Sequence, residues 1–407
     1  MIPAALSALS ALLLAAPADP PLRPDAPPFP AATGPVISVS TSAELVAAVA
    51  RVPAGGTILL ADGRYPLTAP LRVAADRVTI RSRSRDRTRV ILDGNGTLTE
   101  AIWVTGCSDV TIAHLTIQNV RWNGIKINSD SGVQRLRVYD CVFRNVWQRA
   151  IKGVGVPAAN RDRLRPRDCV IEFCLFENDR PKQIGDDPED TAATFGGDYV
   201  GGIDAMCPTG WAVRDNLFRG IRGRTRQGRA AVFLWVDARE CVVERNVIVD
   251  CDNGVWLGNS TRDPTEPVHA TGCVVRNNCV TRAPEGAITA TYTRDCRIVH
   301  NTLFDPDSRH RRGVRVVADA PGLVVAYNLL AGVAVQVEGG AKVEQRGNVE
   351  RPPAGLFANP DRGDLHLVGR PAGVVDAATP DAAVTEDLDR RRRGPKPDIG
   401  AHEASPE

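Results

Sequence analysis

Eight copies of one six-residue pattern limit what this chain can fold into more than any other feature it has. Val110-Thr-Ile-Ala-His-Leu115 recurs as Leu136-Arg-Val-Tyr-Asp-Cys141, Cys169-Val-Ile-Glu-Phe-Cys174 and Trp211-Ala-Val-Arg-Asp-Asn216. It continues as Cys241-Val-Val-Glu-Arg-Asn246, Cys273-Val-Val-Arg-Asn-Asn278, Cys296-Arg-Ile-Val-His-Asn301 and Leu323-Val-Val-Ala-Tyr-Asn328, at spacings of 23 to 42 residues. Positions one and three are apolar, the alternation of a strand with one buried face. Position six reads Leu, Cys, Cys and then five asparagines. Such a column is expected if the strands stack in parallel. An inward asparagine at a bend then hydrogen-bonds backbone and side chains in the next coil. Cysteine, small and often buried, fits the same slot. Repeats of this length, each burying its neighbour's face, make a solenoid.

A second alternating stretch follows each copy: Gly124–Asn128, Ala150–Val154, Gly202–Met206, Ala231–Trp235, Gly254–Gly258, Ala287–Thr291, Gly313–Val317 and Val333–Val337. Two strands per coil are therefore expected, in an all-β fold. Aromatic residues are only 5% of the chain against 43% hydrophobic, so Val, Ile, Leu and Ala must fill the core. The helical half of a leucine-rich repeat is missing, and the units are too short for four-stranded propeller blades.

Over about residues 36–350 these repeats resemble the pectin-lyase-like superfamily of right-handed, single-stranded parallel β-helices, common among secreted bacterial proteins. Ser42-Ala-Glu-Leu-Val-Ala-Ala-Val reads as a short helix capping the open N-terminal end. The coil after it, Gly55–Tyr65 with Val78-Thr-Ile-Arg81 and Val90–Gly94, is similar to the entry coil of alginate- and chondroitin-cleaving polysaccharide lyases. Residues 351–407 lack the repeat and are expected to cap the other end. Residues 1–18 read as a signal peptide, with an Ala/Leu/Ser run and a small-x-small site at Ala16-Pro17-Ala18. Residues 19–35, rich in Pro and Ala, read as a linker. A secreted, periplasmic or extracellular monomer is expected, with no transmembrane segment. A formal charge of +2 gives no reason to expect nucleic acid.

Of ten cysteines, Cys169, Cys241, Cys273 and Cys296 occupy position one, Cys141 and Cys174 position six, and Cys279 the place after it. Their period marks them as interior filler, although stacked Cys141 and Cys174 are close enough to bridge.

Candidate chemistry lies on the outward positions of the second strands. Position three reads Lys126, Lys152, Asp204, Phe233, Trp256, Thr289, Arg315; position five includes Asn128, Met206 and Trp235. The chain has only five lysines, and two fall on consecutive coils. The resemblance implies a long polysaccharide lying along this sheet and, in the lyases, a Lys or Arg base. Uronate β-elimination needs that base and positive charge on the uronate carboxylate. Lys152 is the expected base, Lys126 the carboxylate clamp and Asp204 an orienting group or calcium ligand. Asn128, Phe233, Trp235, Trp256, Arg222 and Arg315 are the expected substrate contacts, with Arg219 and Arg224 beside Arg222. The insertion at 179–201 offers Asp186, Asp187, Glu189 and Asp190 as a calcium site. Two alternatives stand. One is a glycoside hydrolase pairing Asp204 with Asp130 or Asp237. The other is a non-catalytic glycan-binding or surface protein in which Trp235 and Trp256 hold glycan; Lys152 and Asp204 can equally be read as a surface ion pair.

Overall fold

In the structure, a computed structural model describing residues 22–261 and 266–405, the repeats wind into stacked coils. Three long parallel sheets of 12, 10 and 10 strands run the length of the molecule, and neighbours in each are successive coils. The position-one strands form the 12-stranded sheet and the second strands one 10-stranded sheet, as expected. The third sheet is a correction. Each coil has three strands, because Thr116–Val120, Val142–Val146, Leu175–Glu177 and their successors form a separate strand straight after position six.

The corner between those strands is one residue at left-handed φ. His114, Asp140, Phe173, Asp215, Arg245, Asn277, His300 and Tyr327 all lie between 47° and 59°. None is glycine, so the turn leaves no breaker in the sequence. What makes it tolerable is the next residue. Asn246 Oδ1 accepts both the backbone N–H (3.1 Å) and the carboxamide of Asn216 (3.0 Å), while Asn246 Nδ2 donates to Val213 O at 2.9 Å. Asn278, Asn301 and Asn328 repeat the pattern, and Asn348 extends it one coil beyond the expected column. Cysteines continue it upstream: Cys141 Sγ bonds Ile112 O, and Cys174 Sγ accepts from Cys141 N. All ten thiols are free and buried, and burial pushes Cys169 and Cys251 up to about 12. The seven in the repeat registers are interior filler, as their period indicated, and Cys107, Cys207 and Cys251 are buried likewise. Inside the third sheet, Phe143, Phe176 and Phe218 stack face to face at 4.9 and 4.5 Å.

The helix Ser42–Arg51 closes the first coil with Leu45, Ala48 and Val49. Its N-cap is Thr41, in a capping box with Glu44. The expected signal peptide lies outside the described residues. Residues 22–35, read as a linker, are docked. Phe29 packs on His114 and Tyr139, Tyr139 O–H donates to Pro27 O, and Arg23 donates to Phe173 O. The C-terminal segment returns along the same corners, through Arg390 to Asp215, Arg393 to Asn277 and His300 to Asp398 O. The two termini meet at Phe173, where Arg23 and Arg390 both lie over the ring. Among the described residues no helix is long and apolar enough to cross a membrane.

Asn278→Ala strands buried donors on Asn246 and the Val243 carbonyl, so it should cost about 3 kcal/mol or more. Arg135→Ala, which breaks an exposed pair with Asp109, should cost under about 1 kcal/mol. Urea unfolding of both variants checks the contrast.

Candidate functional site

Ladder pairing places the outward column in the expected register. Lys126 pairs with Lys152, Lys152 with Asp204, Asp204 with Phe233, Phe233 with Trp256, Trp256 with Thr289, and Thr289 with Arg315. Trp103 extends the column below Lys126.

Neither lysine stands alone. Lys126 Nζ is 3.2 Å from Glu100 Oε1 and 5.7 Å from the Trp103 ring centre. Glu100 also accepts from Trp103 Nε1 (2.5 Å) and Asn123 Nδ2 (2.9 Å). Lys152 Nζ is 3.0 Å from Asp204 Oδ1, which also accepts from Trp235 Nε1 at 3.0 Å. Asp204 Oδ2 accepts from Arg149 Nε at 2.8 Å. Each lysine thus has its own carboxylate partner. Burial pushes the Asp204 carboxyl up, but Lys152, Arg149 and the Trp235 hydrogen bond outweigh it and hold it at about 2. Asp204 is therefore ionised at neutral pH and unsuited to the general-acid role of a glycosidase, which needs a raised value. Its expected hydrolase partners fit no better. Asp237 is bound by Arg165 and Arg239, and Asp130 lies exposed on a short turn.

A fourth cation borders the strand starts. Arg229 is half-buried beside Arg149, and burial, then the Arg149 charge, lower its basicity. Among the described residues its guanidinium has no carboxylate or hydrogen-bond partner. Gly201 makes room for both arginines, since a Cβ there would lie 3.3 Å from Arg229 Cβ and 3.4 Å from Arg149 Cδ. Asp252 fixes the loop presenting Arg229 by accepting from Gly223 N (2.7 Å) and Gly228 N (2.8 Å). Lys126, Arg149, Lys152 and Arg229 against Glu100 and Asp204 leave two positive charges in excess.

Beyond the charges lies the aromatic half. Trp235 and Trp256 are half-exposed. Phe233 is a correction: it is 4% exposed, with the Trp235 ring parallel at 5.0 Å and the Trp256 ring edge-on at 5.2 Å. It supports the indoles and offers no platform. Asn128 donates to Thr105 Oγ1 at 2.6 Å, and Arg315 is held bidentately by Glu338. Arg222 is tied to Asp250 at 3.0 Å, and Arg224 donates to Gly196 O, so neither joins the lysines.

The expected calcium set does not assemble. Among the described residues, only His366, Asp389 and His402 bring three metal-ligating side chains within 4.8 Å of one another. In the insertion a fully buried Lys182 ammonium sits on Asp187 (3.1 Å) and Asp190 (2.9 Å). Asp186 is paired with Arg180, and Glu189 is exposed. Lys182 supplies the charge that a cation would have brought, and Trp122 Nε1 anchors Asp187 to the coil at 2.9 Å. The insertion so fixed carries Tyr199, whose ring lies 4.1 Å from the Arg149 guanidinium carbon. A cleft of about 560 Å³ under the N-terminal arm, lined by Arg23, Arg87, Arg219 and Asp250, includes none of the stripe.

Sequence reading missed Glu100, Trp103, Arg149 and Arg229. Glu100–Thr105 carries the same alternation as the later second strands and was legible as one more of them. Arg149 sits one place before the stretch that was read. Arg229 lies in a loop, with no period to announce it.

A family model described as right handed beta helix region matches residues 100–330, more than half of the chain. The tailspike protein of E. coli bacteriophage HK620, solved with a pentasaccharide, is similar at TM-score 0.52 and 14% identity, over 72% of this chain and 53% of the tailspike. This chain thus spans about half of that protein's length. Alginate lyase from Paenibacillus sp. str. FPU-7 has TM-score 0.41 and 11% identity, over 75% and 99% of the two chains. Pectate lyase Pel9A has TM-score 0.47 and 11% identity, over 88% and 90%. At such identities the likeness is one of fold. No curated protein sequence matches the chain.

Asp204→Asn leaves the buried Arg149 uncompensated and should cost about 3–5 kcal/mol at neutral pH. The Asp204 carboxyl lies lower in the folded than in the unfolded chain. Its contribution is present above about pH 4 and fades as pH falls toward 2. The stability gap between wild type and Asp204→Asn, from urea unfolding at a series of pH values, should close over that interval.

Proposed function

The chain belongs to the right-handed β-helix family, and from that premise we propose that it acts on an acidic polysaccharide, cleaving a uronate polymer by β-elimination. The observation that carries this reading is the net positive charge of Lys126, Arg149, Lys152 and Arg229, spread over four successive coils, beside half-exposed indoles. An unpartnered, half-buried guanidinium is costly unless an anion completes it. Uronate carboxylates recur along a polymer as the cations recur along the coils. Indole faces suit the apolar faces of sugar rings. The tailspike of similar fold was solved with a bound oligosaccharide, which supports a glycan as ligand. A polysaccharide substrate also agrees with the export expected from the signal-peptide-like sequence of residues 1–18.

In this reading Lys126 neutralises the carboxylate of the reacting uronate, which acidifies the adjacent C–H, and Arg229, three coils further along, binds the carboxylate of another sugar of the same chain. Lys152, as the neutral amine left once its ammonium proton has passed to water, takes that proton. Arg149 already balances Asp204, so Lys152 can exchange its proton without leaving a buried carboxylate unpaired. The C–H electron pair becomes the new ring double bond, the glycosidic C–O bond breaks, and water protonates the departing oxygen. Asp204 orients Lys152, and Trp235 holds Asp204 while its ring faces the sugar. All the charge neutralisation comes from side chains.

Incubation with a panel of uronate polymers should raise absorbance from unsaturated products on at least one. Lys152→Ala should lower that rate by about 10²-fold or more with unchanged circular dichroism, and Arg229→Ala should raise KM more than it lowers kcat. New reducing ends without absorbance would make the protein a hydrolase. Retained binding with no cleavage would make it a glycan-binding protein.

A further inference from the structure

The closing segment brings His366, Asp389 and His402 together from three separate lengths of chain. His366 comes from the strand Asp364–Leu367, Asp389 from a turn, and His402 from near the chain's end. One ligand atom from each lies within 4.8 Å of the other two. His366 Nε2 is 3.2 Å from both carboxylate oxygens of Asp389. His402 Nε2 is 3.9 Å from Asp389 Oδ2, and the two imidazoles meet edge to face with centres 4.7 Å apart.

We propose that these three residues form a binding site for one divalent transition-metal ion of the zinc class. Two imidazoles and one carboxylate are borderline-soft ligands that suit zinc rather than calcium or magnesium. Ligand bonds of about 2.0–2.1 Å in a tetrahedron place neighbouring donors about 3.3 Å apart. His366 and Asp389 already meet that spacing, and His402 has to close on Asp389 by roughly half an ångström and lies within 4.8 Å of His366. The surroundings orient the donors. Asp364 Oδ1 lies 2.5 Å from His366 Nδ1, the outer carboxylate that commonly fixes a metal-binding imidazole with its other nitrogen forward. His366 and Asp389 are partly open to solvent, which leaves a path in and a fourth position for water.

Two contacts set the affinity. Arg391 reaches within 3.4 Å of His402 Nε2 and 3.8 Å of Asp389 Oδ2, and this half-exposed side chain must swing outward. Leu367 N–H donates to His402 Nδ1 at 3.2 Å. Coordination through Nε2 moves the ring proton to Nδ1 and gives up that hydrogen bond. These costs weaken binding relative to a preassembled structural zinc site. The ion would tie three stretches of a segment that has little regular structure of its own.

The test is calorimetric titration of the full chain, stripped with chelator, with zinc chloride near neutral pH. One equivalent should bind with a dissociation constant of about 1–10 µM, and cobalt(II) in its place should give the visible absorption of a four-coordinate site. His402→Ala and Asp389→Asn should abolish uptake. Asp364→Asn, which leaves all three ligands in place, should weaken it about 10- to 100-fold with an unchanged circular dichroism spectrum. That variant keeps the test valid if the other two fail to fold. Absence of saturable uptake, or uptake equal in wild type and Asp364→Asn, would overturn the site.

Discussion

Everything in this molecule depends on successive coils lying in register, one directly above another. Parallel stacking at about 4.8 Å turns positions dozens of residues apart in sequence into columns. A one-residue slip would exchange the inner and outer faces of a coil. The inward asparagines guard against that slip. Each carboxamide from Asn246 to Asn348 accepts from the backbone and side chain of the coil before it. It thereby satisfies donors that the left-handed corner withdraws from the sheets. A corner of eight non-glycine residues near φ +50° is strained, and the ladder is what holds it.

The same columns make the candidate site. Lys126, Lys152 and Asp204 are 78 positions apart end to end in sequence yet adjacent on one sheet face. Loops interrupting the coils then complete what the sheet begins. The insertion braced by Lys182 brings Tyr199 over Arg149, and the loop pinned by Asp252 presents Arg229. Buried ion pairs contribute little net stability but are costly to break. Glu100–Lys126 and Arg149–Asp204 therefore act chiefly to fix position. In the proposed reading, function falls to the charge left over.

The solenoid was legible because its signal is periodic. Alternation identified two of the three strands, and the asparagine column gave both register and handling of the corner. The third strand was hidden because its boundary is one ordinary residue, such as Phe173 or Tyr327, in a conformation that composition does not mark. The outward column from Lys126 to Arg315 was likewise readable from register. The partners of those residues were not. Glu100 lies one coil below the first repeat recognised, and Arg229 sits in an aperiodic loop. The acidic insertion was read as a cation site without Lys182, because a lysine five residues before Asp187 gives no hint that it will be buried between two carboxylates. Phe233 was placed on the correct face, but local sequence does not reveal that Trp235 and Trp256 close over it.

The central claim is that columns created by stacking form one continuous surface for an acidic polymer. The most direct measurement is a crystal structure of the inactive Lys152→Ala variant soaked with a uronate oligosaccharide. The account predicts sugar density running along the helix axis, with one carboxylate against Lys126, another against Arg229, and a ring face on Trp235 or Trp256. An oligosaccharide seated instead in the cleft beneath the N-terminal arm, or crossing the coils away from that face, would contradict it.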